Sequence, residues 1–502
     1  MRNICFGTLG VRARLGLIAT ISILLMGASA SPLLAANSGW SGSTAVSPTG
    51  QPDPTRGAQL NDVAVNASGL TIAAWDQYTY NNGGGATIGA AVQSGGRWAA
   101  PFTISGTTGF SMSPRVAVGA DGTMAVSWTY QDPVSDPVNY PNPVQKIQVA
   151  VLPAGAATWS TNTLDQGPIG GVAITQFVPV GVDESGNITA AWSMWDGAKH
   201  VVKAATKRNG GAWSAAVSVS SGQDGIFPVL SVNANGDAGV VFAISPYTST
   251  AGSCDPLQPS LQGTCALYAF RSGPNGAWTS PTNVSETLSS NVGYISGPQV
   301  ALDANGLATV IYMGYGIEST REVSPGSWTQ PASIIQSNTF GSSYLSSDLA
   351  VDANGNSVVA VSIFDATPGV DRASVWVTRG TSGGAWSPAE RLTDPAASVD
   401  AYATRVAVSP NGSLALVGWI DHYHGVAQVS KLTGNLDQVS NLPGSFWGKA
   451  ATIGRSTAFS SFQEVMALDA ASLDVVGSTA QARALWKSAK SGTQIYASGY
   501  SQ

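Results

Sequence analysis

Eight positions bear most directly on chemistry. Each stands at the start of a short apolar run of alternating pattern: Asp62, Arg115, Pro179, Val229, Gln299, Asp348, Arg405 and, in the last run, Glu464 or Val465. Two arginines and two or three carboxylates at one recurring position could form an anion-binding or acid–base centre. Glycoside hydrolysis needs paired carboxyl groups about 5–10 Å apart, one to give a proton and one to act as base or nucleophile. Asp62, Asp348 and Glu464 are the candidate carboxyl groups, and Arg115 and Arg405 the candidate cations. The same charges could instead satisfy one another as a ring of alternating ion pairs.

A second set is aromatic. Tyr78, Tyr130, Trp195, Tyr315 and Tyr423, with Asp421 and the amide of Gln299, fall in or beside the longer, variable segments between apolar runs. Rings beside carboxylates suit sugars, whose C–H faces stack while their hydroxyls donate; they also suit protein partners. A third set is His422-x-His424 next to Asp421. Residues two apart on a strand face the same side, so both imidazoles could hold one metal. The spacing is equally that of an exposed loop, and the reading is no metal and no cofactor. The acids of the D-x-N-G turns, such as Asp303 and Asp352, lack the further carboxylates and distal Glu of a calcium loop.

The elements that must position these residues come from a repeat. VALDANGLATVIY at Val300 recurs as VAVNASGLTIAAW at Val63, VAVGADGTMAVSW at Val116, VGVDESGNITAAW at Val180 and LSVNANGDAGVVF at Leu230. It returns as LAVDANGNSVVAV at Leu349 and VAVSPNGSLALVGW at Val406. Alternation before the turn and again after it predicts a hairpin of strands a and b, the turn glycine supplying positive φ. An aromatic follows that glycine by six residues in five units; Trp419 follows at seven, which suggests a one-residue bulge. A second phrase, Gly-Gly-x-Trp, ends at Trp98, Trp213 and Trp386, with variants at Trp278 and Trp328. It predicts strand c before it and strand d after it. Four antiparallel strands repeated at this length read as propeller blades.

The ends complement one another. Ser38–Ser41 reads as a d phrase with nothing before it, and Met466–Ser472 as a hairpin phrase with a c strand at 493–500 and no d after it. The expected fold is therefore all-β, an eight-bladed β-propeller spanning 38–502, closed by the N-terminal strand pairing with the last blade. Seven blades is the alternative if the last unit only decorates the ring. The tryptophans of strands b and d are expected to fill the space between blades.

Residues 1–30 read as a signal peptide: Arg2, Arg12 and Arg14, then the apolar run Leu15–Met26, with cleavage after Ala30 or Ala36. Its removal takes three of 23 basic residues and none of 29 acidic ones, so the net charge moves from −6 to about −9. That balance excludes nucleic acid and anionic membrane as partners. No later run is long enough to insert in a membrane. The expectation is a secreted or periplasmic monomer. Cys254 and Cys265, in one loop, would form a disulfide in an oxidising compartment.

The unit V-A-V-D-x-x-G with its aromatic, followed by G-G-x-W-S, resembles the tandem repeats of exported bacterial propeller proteins in the broad sialidase-like group. The resemblance covers residues 38–500 as scaffold. Sialidases carry the Asp box S-x-D-x-G-x-x-W and a third arginine in register, and neither stands here. The resemblance implies the scaffold alone; the degenerate repeats with scattered loop aromatics favour a binding protein over an enzyme, contacting glycan or a surface partner through its b–c and d–a loops. The alternative is a glycoside hydrolase or lyase acting at the central channel mouth.

Overall fold

The structure is a computed structural model. It describes residues 44–47, 58–79, 85–133, 142–169, 177–244, 265–285, 295–314, 316–336, 343–365, 372–394, 401–421, 426–432, 447, 449–455, 467–472, 480–488 and 494–501. Leu34–Gln502 forms one compact unit. Every regular element among the described residues is a β-strand, as the alternating runs of Val, Ile, Thr and aromatic residues favour. Among the described residues no helix is long and apolar enough to cross a membrane.

The hairpin phrase folds as its pattern requires. In the fifth repeat, strand a (Ser296–Leu302) pairs antiparallel with strand b (Ala308–Met313), Leu302 opposite Ala308. The turn is held from within. Asp303 Oδ1 accepts from the amides of Asn305 at 2.8 Å and Leu307 at 2.9 Å, and Gly306 sits at φ 79°. Asp183, Asp352, Asn66 and Asn233 make the same pair of bonds in their own turns. An Asx side chain closing its own turn is the reason these positions are Asp or Asn. The turn acids are thus backbone caps. In the seventh repeat the extra residue lies in the turn, not in a strand bulge. Ser409 N donates to Leu414 O at 2.8 Å, Leu414 N to Ser409 Oγ at 2.9 Å, and Val408 still pairs Ala415.

Strand c pairs with b, and a short strand d pairs with c, giving four-stranded antiparallel sheets of order a-b-c-d. The first two repeats merge into one nine-stranded sheet through a parallel pairing of Ala86 with Phe110. The last sheet is built from both ends of the chain: Ala467–Ser472, Ala480–Ser488 and Gln494–Ser501, with Thr44–Ala45 pairing the last of these. The closing strand lies a few residues beyond the expected Ser38–Ser41, which is outside the described residues.

The eight a strands are Ala58–Val65, Phe110–Val118, Val180–Val182, Gly225–Val232, Ser296–Leu302, Ser343–Val351, Ala401–Val408 and Ala467–Ser472. Each contacts the next, and the eighth contacts the first. Between sheets, Trp75, Trp128, Trp192, Phe242, Tyr312 and Trp419 of the b strands are fully buried. Truncating one to Ala would cost about 3–5 kcal/mol. Trp98, Trp213, Trp278, Trp328 and Trp386 are only half-buried. The b strands also run further than their sequence pattern suggested. Tyr78, Tyr130, Trp195 and Asp421 lie within strands Thr71–Thr79, Met124–Gln131, Ile188–Trp195 and Ala415–Asp421, not in loops. Pairing with strand c carries them on past the last alternating apolar residue.

Candidate functional site

The a strands carry a device that the sequence pattern hid. Register shifts lie at Met112/Arg115, Ile226/Val229, Ser296/Gln299 and Tyr402/Arg405, with positive φ at Ser113, Phe227, Gly297 and Ala403. A bulge with one left-handed residue bends the strand and re-aims the side chains after it. Ser-Pro-Arg, Phe-Pro-Val, Gly-Pro-Gln and Ala-Thr-Arg are its local signatures. The first and sixth repeats shift at Ala58/Asn61 and Tyr344/Ser346.

Beyond the bulges the strands return to one register. Asp62 pairs Ala74, Arg115 pairs Ser127, Val229 pairs Val241, Gln299 pairs Ile311, Asp348 pairs Ala360 and Arg405 pairs Gly418. Each partner is the residue just before the buried b-strand anchor. Pro179 keeps the register by accepting from Ala191 N at 3.0 Å. Seven of the eight expected positions are thus equivalent in the fold; Glu464 and Val465 lie outside the described residues.

Four of them share one electrostatic environment. Burial pushes the Asp62 carboxyl above the usual carboxylate value, against the attraction of Arg115, the Val116 amide and then Arg405. Burial likewise raises Asp348, against Arg405, the Val406 amide and, more weakly, Arg115. Arg115 is lowered, again first by burial; Asp62 and Asp348 oppose the shift and Arg405 adds to it. The coupling reaches across repeats one, two, six and seven, so these four charges act on one another at the ends of a strands that contact one another in a cycle; that shared end is termed the recess. All four keep partial solvent contact.

The two halves of the recess repeat one arrangement. Asp62 Oδ2 accepts from Val116 N at 3.0 Å, and Asp348 Oδ2 from Val406 N at 2.8 Å. In both, the Asp of one repeat takes the amide that comes after the Arg of the next. Arg115 donates to Pro114 O at 3.2 Å and Arg405 to Thr404 O at 2.9 Å. The Arg115 guanidinium also lies 3.9 Å from the centroid of the Phe177 ring. Ion pairs between described residues are His200–Asp224, Lys203–Asp165 and Arg321–Asp303; none of the four recess charges enters one. The self-satisfied ring of salt bridges is therefore not what forms. The neutral positions Pro179, Val229 and Gln299 belong to repeats three to five, so the recess has a charged side and an uncharged side. Phe227, 41% exposed, stands two residues before Val229.

The aromatic candidates are placed differently. Tyr130 is buried, its hydroxyl donating to Asp132 Oδ1 at 3.0 Å with Lys146 Nζ 4.9 Å from its ring centre. It is folded into its own repeat. Trp195 is half-buried, edge-on to His200 at 5.0 Å, and Asp421 is fully buried at a strand end. Tyr78 lies on a strand, and Gln299 stands half-buried in the recess register. Tyr315, Tyr423, His422, His424 and Cys254 lie outside the described residues. Cys265 is buried in the core of the fourth repeat. Among the described residues no group of three His, Cys, Asp or Glu could hold a metal ion. Sequence reasoning missed Phe177 and the pair His200–Asp224 (3.4 Å), which joins the third repeat to the fourth. Neither stands in a repeated phrase, so no pattern could have marked it.

No protein-family model and no curated protein matches the sequence. Solved structures with similar folds include a protein of unknown function from Dyadobacter fermentans (11% identity, TM-score 0.42, covering 92% of this chain and 100% of that one). The polysaccharide lyase Uly1 (9%, 0.43, 88% and 89%) and an α-L-arabinanase from Penicillium chrysogenum complexed with arabinobiose (13%, 0.38, 68% and 99%) are also similar. With TM-scores below 0.5, these likenesses leave the chemistry to the chain's own geometry.

Proposed function

We propose that this chain is an exported eight-bladed propeller that acts on a glycan at the recess formed by its a strands, as a glycoside hydrolase. The cyclic order of a-strand contacts supports eight blades over seven. The observation that carries the function is the coupled set of Asp62, Asp348, Arg115 and Arg405, with both carboxyl groups raised by burial and neither Arg115 nor Arg405 engaged by an ion pair. A carboxyl raised above its usual range holds its proton more tightly and can deliver it to a leaving oxygen. The other carboxyl, beside a guanidinium, is the base or nucleophile. Arg115 and Arg405 orient the sugar, and Phe177 fixes Arg115 from behind. A disulfide between Cys254 and Cys265, formed after export, would close the loop that precedes strand c of the fourth repeat.

The test is release of reducing ends from a panel of plant and microbial polysaccharides by the purified chain, with Asp62→Asn and Asp348→Asn alongside. Turnover by the wild type, with both variants binding but losing at least about a thousandfold in rate, supports the reading. Ultraviolet-absorbing unsaturated ends would reassign the reaction to a lyase. The second reading, recognition without turnover, is favoured by one observation: each carboxylate already has one oxygen tied to a neighbouring amide. Glycan binding with no cleavage would establish it. Neither binding nor cleavage of any glycan would remove both.

A further inference from the structure

The c–d turns of the third and fourth repeats enclose a cleft of about 660 Å³, within the range of small-molecule sites. Its walls are the indoles of Trp213 and Trp278, each half-buried, and Val217, 46% exposed. The equivalent tryptophans of the next two repeats have close neighbours of their own: Trp328 lies edge-on to Tyr268 at 5.0 Å, and Trp386 lies beside Gly380. Trp213 and Trp278 pack against the cores of their repeats and also line the cleft.

The floor is Arg271, only 2% exposed. Its terminal nitrogens are held by the hydroxyls of Thr206 and Thr189 (the latter at 2.9 Å) and by Gly236 O at 3.1 Å. The guanidinium is thereby fixed over the Trp278 ring, 5.4 Å from its centroid. Two buried donors lining the cleft remain without a partner, Arg271 Nε and Trp213 Nε1. Buried donors left unmatched are costly, and an acceptor oxygen in the cleft would relieve both. The charged residues of the lining are Arg271 and Arg208, both cationic. Burial lowers Arg271 to about 10 despite the attraction of Asp183 and Asp237, so a further negative charge beside it is favoured.

We propose that this cleft is a second carbohydrate site, which takes a carboxylated sugar such as a uronic-acid residue. The ring stacks between the two indoles, the carboxylate accepts from Arg271 Nε and Trp213 Nε1, and Arg208 closes over it from the rim. Aromatic walls with a fixed guanidinium suit such a ligand better than a neutral sugar, which would leave both cations unmatched. The site stands on residues separate from the recess charges and does not depend on the hydrolase reading.

The experiment is calorimetric titration with trigalacturonate and triglucuronate and their methyl esters, with tryptophan fluorescence read in parallel. It is run in an Arg115→Ala/Arg405→Ala background, which removes the recess cations. The expected result is saturable binding of an acidic trisaccharide with a fluorescence change. The ester should bind at least tenfold more weakly. Arg208→Ala, on an exposed side chain, and Trp213→Phe, which keeps a ring and loses the donor, should each weaken binding about tenfold. No binding of either acid, equal binding of acid and ester, or binding untouched by both substitutions would overturn the proposal. Loss of glycan turnover in the recess variants with the cleft still binding would separate the two sites.

Discussion

Arg321 and the pair Arg115 and Arg405 are all arginines with restricted access to water, yet the protein treats them in opposite ways. Arg321, at the turn end of strand c, is met by Thr309 Oγ1 at 2.9 Å, Gly355 O and Asp303 Oδ2 at 3.3 Å. It ties its own hairpin turn to that of the next repeat. Arg115 and Arg405, at the other end of the a strands, each donate to one carbonyl, that of the residue before. Their carboxylate neighbours act at a distance and are themselves bonded to backbone amides. The turn side consumes its polar groups in holding the repeats together, while the recess side leaves them for a ligand. Arg271 is intermediate, with its terminal nitrogens held and its buried Nε, beside a cleft, without a partner.

The contrast can be broken most forcefully at Arg321. Arg321→Ala strands Asp303 as a buried, uncompensated acid, and breaking such a pair costs about 3–5 kcal/mol. Chemical denaturation should show that loss, with glycan binding by the folded fraction unchanged. Arg115→Ala/Arg405→Ala should do the reverse. Ligand affinity at the recess should fall about a hundredfold, near 2.8 kcal/mol, with a smaller stability loss than Arg321→Ala. Equal destabilisation by the two would abolish the distinction.

A pH series sharpens it further. Asp62 and Asp348 have folded-state values above the unfolded ones, because burial disfavours the charged form. Each therefore binds its proton more tightly when folded, and its contribution is fully present below the unfolded value. It is lost as pH rises through the folded value. Asp62→Asn/Asp348→Asn should consequently flatten the fall in stability from mildly acid to neutral pH, measured by denaturation at fixed salt. A profile unchanged from wild type would mean that neither group is shifted. The smallest effect is expected at Phe177. Its ring supports Arg115 through a cation–π contact worth about 0.5–2 kcal/mol, so Phe177→Ala should weaken glycan binding several-fold and leave Arg405 unaffected.

How much of this was legible depends on whether a feature repeats. Hairpins, turn glycines and buried b-strand aromatics recur in register, and a strand's period of two exposes them directly. The residues at the start of each a strand could be aligned for the same reason, which is why Asp62, Arg115, Asp348 and Arg405 were found together. The aromatic candidates had no such support. Tyr130 reads as a loop residue when the apolar alternation ends before it, but pairing with strand c extends the b strand and folds the ring inward. The bulges were invisible because a single inserted residue looks like one more strand position. Only the cross-strand register shows where two residues face one.

By itself, then, the sequence determined the repeating unit, its four strands and the shared position of the recess residues, all of which are local periodicities written along the chain. Tertiary structure decided which charges meet. Asp62 and Asp348 are separated by 286 positions in the numbering, and no spacing brings them to a common pair of arginines; the succession of a strands does. It also decided that the arginines stay unpaired by ions, with one oxygen of each carboxylate taken instead by an amide of the adjoining strand. The cleft lined by Trp213 and Trp278 was decided there too, since it is bounded by the c–d turns of two successive repeats. It lies where two repeats meet, a property no single repeat encodes.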